Sequence, residues 1–396
     1  MKYITRTIFL LSFISLCTDV ASEMLYPVMP MYLKSIGFSV LLIGILEGVA
    51  EATAGVSKGF FGNLSDVVGR RAPFIRIGYT LSAVSKPMMA VLTYPWWIFS
   101  ARTMDRLGKG IRTGARDAML SAETTPEFKG RVFGFHRAFD TVGAALGPLV
   151  ALVFLTFRPG DYARLFLIAA VPGAAAVALT LFTRDRPRSV VRTTPPPGFF
   201  SFLRYWRTAP PSYRLLVSGL LAFGLVNSSD MLLLLMMKHQ GATDQHVILI
   251  YVFYNLVYAV FSFPMGVVGD RLGLRRTFQI GLLLFAVVYA GIITAGSVTA
   301  MLALFFLYGI YAASTEGISK AWISNVVPAG ETATAIGFYT GMNSISALLA
   351  SSLAGFLWYG AGPAVAFGVS AVGAVGIALY LGLVFGRRPG KLTPAA

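Results

Sequence analysis

The chain alternates long apolar runs with short polar stretches, and the runs are too long for strands. Leu215 to Met237 and Ile280 to Thr294 are almost unbroken. A helix needs about 20 apolar residues to cross the hydrocarbon core of a bilayer, whereas barrel strands alternate over about ten. The pattern predicts twelve transmembrane helices near 6–33, 38–61, 73–93, 96–121, 131–157, 162–183, 213–237, 245–268, 274–296, 299–325, 332–359 and 363–385. The expected fold class is an all-α polytopic membrane protein. Lys2 and Arg6 ahead of the first run imitate a signal peptide. The run continues to Leu33 with no small-residue cleavage site, so an uncleaved first helix is expected.

Of the 396 residues, 56% are hydrophobic and 13% charged. An ordinary soluble domain is about a quarter charged. A water-soluble enzyme and a disordered chain are therefore excluded. The single cysteine, Cys17, excludes a disulfide scaffold. Lys and Arg number 33 against 17 Asp and Glu, a formal net charge of +16. In a soluble protein that balance points to nucleic acid. Here the basic residues lie between apolar runs, which points to membrane orientation, and no nucleic-acid partner is expected. Arg70, Arg71, Lys129, Arg131, Arg271, Arg275, Arg276, Arg387, Arg388 and Lys391 all fall on one side of the twelve spans. The positive-inside rule then puts both termini in the cytoplasm, with Tyr94, Trp96 and Trp97 at the opposite interface. The expected location is multi-pass in a cell membrane, a bacterial inner membrane by default.

The longest polar connection, 184–212, carries Arg184, Arg186, Arg188, Arg192, Arg204 and Arg207 with Pro195–Pro196–Pro197. It divides the chain into 1–183, the linker 184–212, 213–388 and a tail, 389–396. Phe199, Phe200, Phe202 and Trp206 predict a short interfacial helix within it. The two halves repeat each other. Gly62-Asn-Leu-Ser-Asp66-Val67-Val-Gly69-Arg70-Arg71 follows span two, and Gly266-Val-Val-Gly-Asp270-Arg271-Leu-Gly273 follows span eight, at an offset of 204. Phe133-Gly134-Phe135 matches Ile336-Gly337-Phe338 at 203, and Asp140 matches Asn343 at the same 203. Such repeats predict two six-helix bundles related by a pseudo-twofold axis, with a solute site near the midplane.

The loop motif resembles the signature of the major facilitator superfamily, with Val67 in place of the usual Arg. The resemblance implies a transporter in which Gly62, Asp66, Gly69, Arg70, Arg71, Asp270 and Arg271 gate the rocking of the bundles. Asp66 can pair with a basic residue or face a helix N-terminus. In span five, Gly134, Gly143, Gly147 and Pro148 are spaced like the antiporter motif of drug/proton exchangers in that superfamily, without the motif's trailing Gly pair. Arg106-Leu-Gly-Lys109-Gly110 in span four resembles the exchangers' Arg-x-x-Gln-Gly motif, with Lys in the Gln position. That resemblance implies a proton-coupling role for Arg106.

Ionisable residues within spans are expensive and mark cavities or partners. Asp19 and Glu23 share one face of span one, and Glu47 and Glu51 one face of span two. Their expected partners are the basic stripe of span four: Arg102, Arg106, Lys109, Arg112 and Arg116, with Asp105 and Asp117 among them. The C-terminal part of that stripe, Arg112 to Asp117, is read either in the cavity or at the membrane interface. Asp19, Glu23, Glu47, Glu51 and Arg106 are the expected proton-coupling set. Arg102, Asp105, Lys109, Arg112, His136, Asp140, Asn227, Asp230, Asn255, Glu316, Lys320 and Asn343 are candidates for binding solute. Glu316 and Lys320 also read as a buried structural pair.

No Cys pair, Walker loop or Gly-x-Ser-x-Gly occurs, so neither enzyme activity nor a cofactor or resident metal is expected. The preferred reading is a monomeric secondary active transporter working by alternating access. It would exchange protons for a small organic, zwitterionic or anionic solute or drug. Two alternatives stand beside it: a divalent metal or metal-chelate exporter of ferroportin-like type, and a non-transporting membrane receptor or scaffold.

Overall fold

The computed structural model describes residues 4–26, 28–38, 40–185, 198, 200–228, 230–242 and 244–386. Every regular element among them is a helix. The predicted spans appear in order as α3 (Val40–Val68), α4 (Ala72–Val91), α5 (Pro95–Ala122), α6 (Lys129–Phe157), α7 (Tyr162–Thr180), α11 (Asp244–Leu272), α12 (Leu274–Gly291), α13 (Val298–Val326), α14 (Thr332–Ala361) and α15 (Pro363–Gly386). Spans one and seven depart from expectation, and in the same way. Each is two helices: α1 (Arg6–Glu23) with α2 (Met29–Ser35), and α9 (Pro211–Val226) with α10 (Asp230–His239). The breaks fall where polar residues and Pro interrupt the apolar run, after Glu23 and at Asn227–Ser228. α8 (Tyr205–Thr208) is a single turn in the linker, preceded by a 3-10 turn at Ser201–Arg204. The short helix expected in the linker is thus a 3-10 turn followed directly by one α turn, and Phe199 lies outside the described residues.

Among the described residues, seven helices are long and apolar enough to cross a membrane: those covering Pro126–Phe157, Tyr162–Thr180, Leu249–Leu272, Leu274–Gly291, Val298–Val326, Thr332–Ala361 and Pro363–Gly386. α5, with its basic stripe, and α9, at 16 residues, are outside that set. Large apolar side chains face outward, among them Leu152, Val153 and Phe157 on α6 and Leu348, Leu349 and Phe356 on α14. Water penalises such a surface, whereas lipid does not.

The chain forms two compact units. Unit 1 comprises Met1–Glu123, Phe139–Thr208 and Ala329–Gly341; unit 2 comprises Thr124–Ala138, Ala209–Pro328 and Met342–Ala396. The sequence repeat recurs in their packing. In unit 2 a Cβ on Gly134 would collide with the Ser262 carbonyl and meet Gly266 Cα at 3.3 Å; in unit 1 a Cβ on Gly337 would collide with the Lys58 carbonyl and meet Gly62 Cα at 3.4 Å. The partners keep the offset of 204 seen in the loop motif. Gly69 and Gly273 share it too, and both have positive φ, 72° and 94°, where a side chain would be strained.

Candidate functional site

The helix pairs of unit 1 bring the charged residues of α1 and α5 around one cavity. It is lined by Asp19, Ser22, Glu23 and Tyr26 from α1 and its C-terminal end, and by Arg102, Asp105, Arg106, Lys109 and Arg112 from α5. In this conformation it has room for about 20 Å3, roughly one water, and is partly open to solvent. α5 can present this stripe because its other faces are small. A Cβ on Gly108 would meet the Gly78 carbonyl of α4 at 2.5 Å, and one on Gly114 would meet Gly62 Cα of α3 at 2.9 Å. α6 approaches α1 at the acidic residues themselves. A Cβ on Gly143 would meet the Leu16 carbonyl at 2.8 Å and Asp19 Cβ at 2.9 Å, and one on Gly147 would meet Met24 N at 2.6 Å. The two glycines of the antiporter-like spacing thus seat the part of α1 that carries Asp19 and Glu23.

Most of the charges are paired. Arg106 bridges Glu51 of α3 at 3.1 Å. Asp105 is held by Lys86 of α4 at 2.8 Å and by Arg102 at 3.6 Å. Lys86 also donates to Ser22 Oγ at 3.1 Å, so one ammonium ties α4 to α1 and α5. Arg112 donates to Ser82 Oγ at 2.6 Å and lies 4.5 Å above the Tyr79 ring. Arg116 bridges Asp117 at 2.9 Å and bonds Ser15 Oγ, and both are buried. The stripe is therefore buried down to Asp117, with Arg112 lining the cavity and Arg116 and Asp117 outside its lining. Among the described residues, Asp19, Glu23 and Lys109 make no ion pair within 4 Å. Their charges interact across the cavity instead, Lys109 with Asp19, Glu23 and Glu51, and Asp19 with Asp140. Glu47 lies on α3, but its side chain is outside the described residues.

Lys86 is absent from the sequence-based set. It is a lone Lys within a predicted span, and that signal alone marks a functional or paired site. Ser82 and Tyr79, one and two turns before it, hold the α5 cation Arg112, whereas Lys86 holds the α5 carboxylate Asp105.

Unit 2 places Asp230 at the start of α10, where Tyr308 donates to it at 2.6 Å. Tyr254, Tyr289 and Tyr311 surround Tyr308 with ring centroids at 5.0, 6.4 and 5.1 Å, and Tyr289 bonds Ser228 Oγ at 3.2 Å. Sequence reading singled out Asp230 but not this tyrosine cluster, because its members come from three helices. The other candidates in this unit are dispersed. Asn255 donates to the Tyr251 carbonyl one turn back. Asn343 abuts Gly224, where a Cβ would lie 2.5 Å from its Oδ1. Glu316 is exposed and Lys320 half-buried, so they are not the buried pair considered from sequence. Asn227 caps the end of α9. His136 and Asp140, one helical turn apart on α6, belong to unit 2 and unit 1 respectively.

The loop-motif carboxylates each cap a helix. Asp66 accepts from the backbone N of Thr334 at 2.7 Å and its Oγ1 at 3.0 Å, in the first turn of α14. Asp270 accepts from the backbone N of Gly130 at 2.8 Å and Arg131 at 3.0 Å, in the first turn of α6. Arg71 lies 3.8 Å from Asp66 and donates to the carbonyls of Ala118 and Ala329; Arg131 lies 3.2 Å from Asp270. Both options for Asp66, a basic partner and a helix N-terminus, are realised together. Arg70 and Arg271 are exposed.

A helical bundle with a charged interior, built on an internal repeat with paired loop motifs, defines a polytopic transporter. The family model of the Major Facilitator Superfamily matches residues 11–235 and 215–396, and the chain belongs to that superfamily. An uncharacterized MFS-type transporter of Methanocaldococcus jannaschii is 32% identical over 366 residues, which cover 90% of this chain and 89% of that one. A gentisate transporter of Corynebacterium glutamicum is 24% identical over 335 residues, covering 82% and 74%. In fold, the chain is similar to the human organic anion transporter MFSD10, whose crystal structure matches with a TM-score of 0.77 at 16% identity over 95% of this chain and 99% of that one. The protein is thus a multi-pass membrane transporter of the superfamily and not an enzyme.

Proposed function

We propose that the protein is a secondary active transporter that exchanges protons for a small charged organic solute, and that both bind in the cavity between α1 and α5. One observation carries this reading. Asp19, Glu23 and Lys109 line the cavity unpaired, while the surrounding Glu51, Asp105, Arg102 and Arg106 are engaged with one another. Paired charges hold the architecture; unpaired ones are available to a proton or a solute. A carboxylate that moves between an apolar and a cationic environment changes its proton affinity, which turns protonation into work. Rocking of six-helix bundles at 1–183 and 213–388 would supply that movement, with both termini in the cytoplasm and a monomer as the working unit. The gentisate transporter among its relatives supports an organic solute. The metal-cargo alternative has no such support: among the described residues no group of three or more His, Cys, Asp or Glu could hold a metal ion.

The test is proton-driven uptake into everted vesicles, with Asp19→Asn and Glu23→Gln compared with the unaltered protein. Both variants are expected to reach the membrane folded and to lose uptake. Full uptake in both would overturn the assignment.

A further inference from the structure

The unpaired groups of the unit 1 cavity have a composition that selects its ligand. On the α1 side stand Asp19 and Glu23, four residues apart and on one helix face. On the α5 side stand Lys109 and Arg112, three apart and also on one face. Arg112 is held by Ser82 and the Tyr79 ring, neither of which carries a charge. The cavity thus presents two unneutralised acids facing two unneutralised bases. The other charges nearby are already matched: Asp105 with Lys86 and Arg102, and Glu51 with Arg106. Asp140 adds one further acid beside Asp19.

Each class of solute meets this arrangement differently. A bare anion satisfies Lys109 and Arg112 but leaves Asp19 and Glu23 without a cation and adds a like charge beside them in a low-dielectric site. A bare cation leaves the bases in the same position. A solute carrying an ammonium and a carboxylate replaces both halves at once, and the net charge of the cavity is unchanged. Charge that is desolvated without a partner is costly, so this difference decides the selectivity.

We infer that the solute is a zwitterion whose ammonium binds Asp19 and Glu23 while its carboxylate binds Lys109 and Arg112. This rests on the cavity being the solute site and on its widening as the protein moves, since here it has room for about one water. It also fixes the sign of proton coupling. A proton on Asp19 or Glu23 occupies the position the ammonium needs, so solute and proton exclude each other, as exchange requires. No covalent step is involved; one proton leaves as one ammonium enters.

Titration calorimetry on the purified full-length protein tests it with three probes of one shape: 4-(aminomethyl)benzoate, benzoate and benzylamine. Buffers of different ionisation enthalpy report proton release. The zwitterion is expected to bind at least about tenfold more tightly than either singly charged probe, the discrimination expected of one unpaired buried group. Its affinity should rise with pH by up to about tenfold per unit while one carboxyl titrates, with protons released on binding. Lys109→Gln should bring the zwitterion down to the level of benzylamine, and Asp19→Asn with Glu23→Gln should bring it down to benzoate and abolish proton release. The wild-type measurements stand alone if these variants fail to fold. Benzoate or benzylamine binding as tightly as the zwitterion, or zwitterion binding without proton release, overturns the inference and leaves the cavity as a solute site. No binding by any probe counts against the cavity itself.

Discussion

Lys86 and Asp105 face each other at 2.8 Å, with side-chain exposures of 1% and 8%. Removing one partner of such a pair strands the other. Lys86→Met or Asp105→Leu alone should therefore destabilise the protein by about 3–5 kcal/mol. The double variant should recover part of that: the close pair is removed together, but Arg102 loses its 3.6 Å contact with Asp105. Thermal unfolding in detergent of the four proteins closes the cycle. Additive losses in the double variant would show that the pair does not act as a unit.

The two loop-motif aspartates predict equal behaviour at equivalent positions. Asp66→Ala frees the Thr334 amide, and Asp270→Ala frees those of Gly130 and Arg131. Loss of a helix cap costs about 1 kcal/mol, up to about 2. Hydrogen exchange should quicken at the start of α14 in the first variant and at the start of α6 in the second. The rest of either helix should keep its protection. Quickening in only one of them would mean that the repeat is preserved in sequence without a shared role.

These two relationships show what was legible beforehand. Period and length gave the ten unbroken spans, because a helix that must cross a bilayer has little freedom in either. Spacing within one helix put Asp19 with Glu23 and strung the α5 cations along one stripe. The offset between the halves flagged Asp66 and Asp270, and their capping follows from a carboxylate placed near unsatisfied backbone N–H groups. Lys86 was missed because its partners, Asp105 and Ser22, lie on other helices and no local spacing connects them. The same holds for Asp185, which accepts from the backbone N of Arg71 and Ala72 and so caps α4 from more than a hundred residues away. The breaks in spans one and seven were hinted at by Pro27, Pro30 and the Asn227–Ser228 pair. Only the backbone shows that both chains leave the helix at equivalent places.

The seating of α1 on α6 makes a size-dependent prediction. Gly147→Ala puts a methyl group where Met24 N and the Val20 carbonyl now lie, at 2.6 and 2.8 Å from the new Cβ. Backbone atoms cannot swing aside as a side chain can. The expected loss is about 1–3 kcal/mol, the usual cost of overpacking. Gly143→Ala should behave likewise and, because it displaces Asp19 directly, should lower transport more than stability. The paired readouts are unfolding temperature and vesicle uptake; loss of stability with normal uptake would separate this contact from the site.

In unit 2 the bond from Tyr308 to Asp230 can be removed with little change of volume. Tyr308→Phe should destabilise the protein by about 1–3 kcal/mol, since it leaves a carboxylate oxygen without its donor. Asp230→Asn keeps an acceptor for Tyr308 and should cost less. The order of the two unfolding temperatures checks this, and the reverse order would mean that another donor serves Asp230.

The linker segment is docked by three aromatic side chains, and one of them makes its docking pH-dependent. Phe202 is buried against Gly59, Trp206 stacks on Phe338 with centroids 5.7 Å apart, and Tyr205 is buried beside Glu331. Burial, and then the Glu331 carboxylate, push the Tyr205 hydroxyl above its ordinary range. An undocked Tyr205 ionises near pH 10. The docked state therefore keeps its full advantage below about pH 10 and loses it as the pH climbs beyond, because only the released segment gives up its proton easily. The sequence has five Trp, and replacing the four others by Phe leaves Trp206 as the reporter. Its emission should shift to the red and become accessible to a soluble quencher above that pH. Tyr205→Phe, which cannot ionise, should hold the segment in place through the same range. Equal alkaline release in both proteins would assign the transition to another group, and the docking would then rest on Phe202 and Trp206 alone.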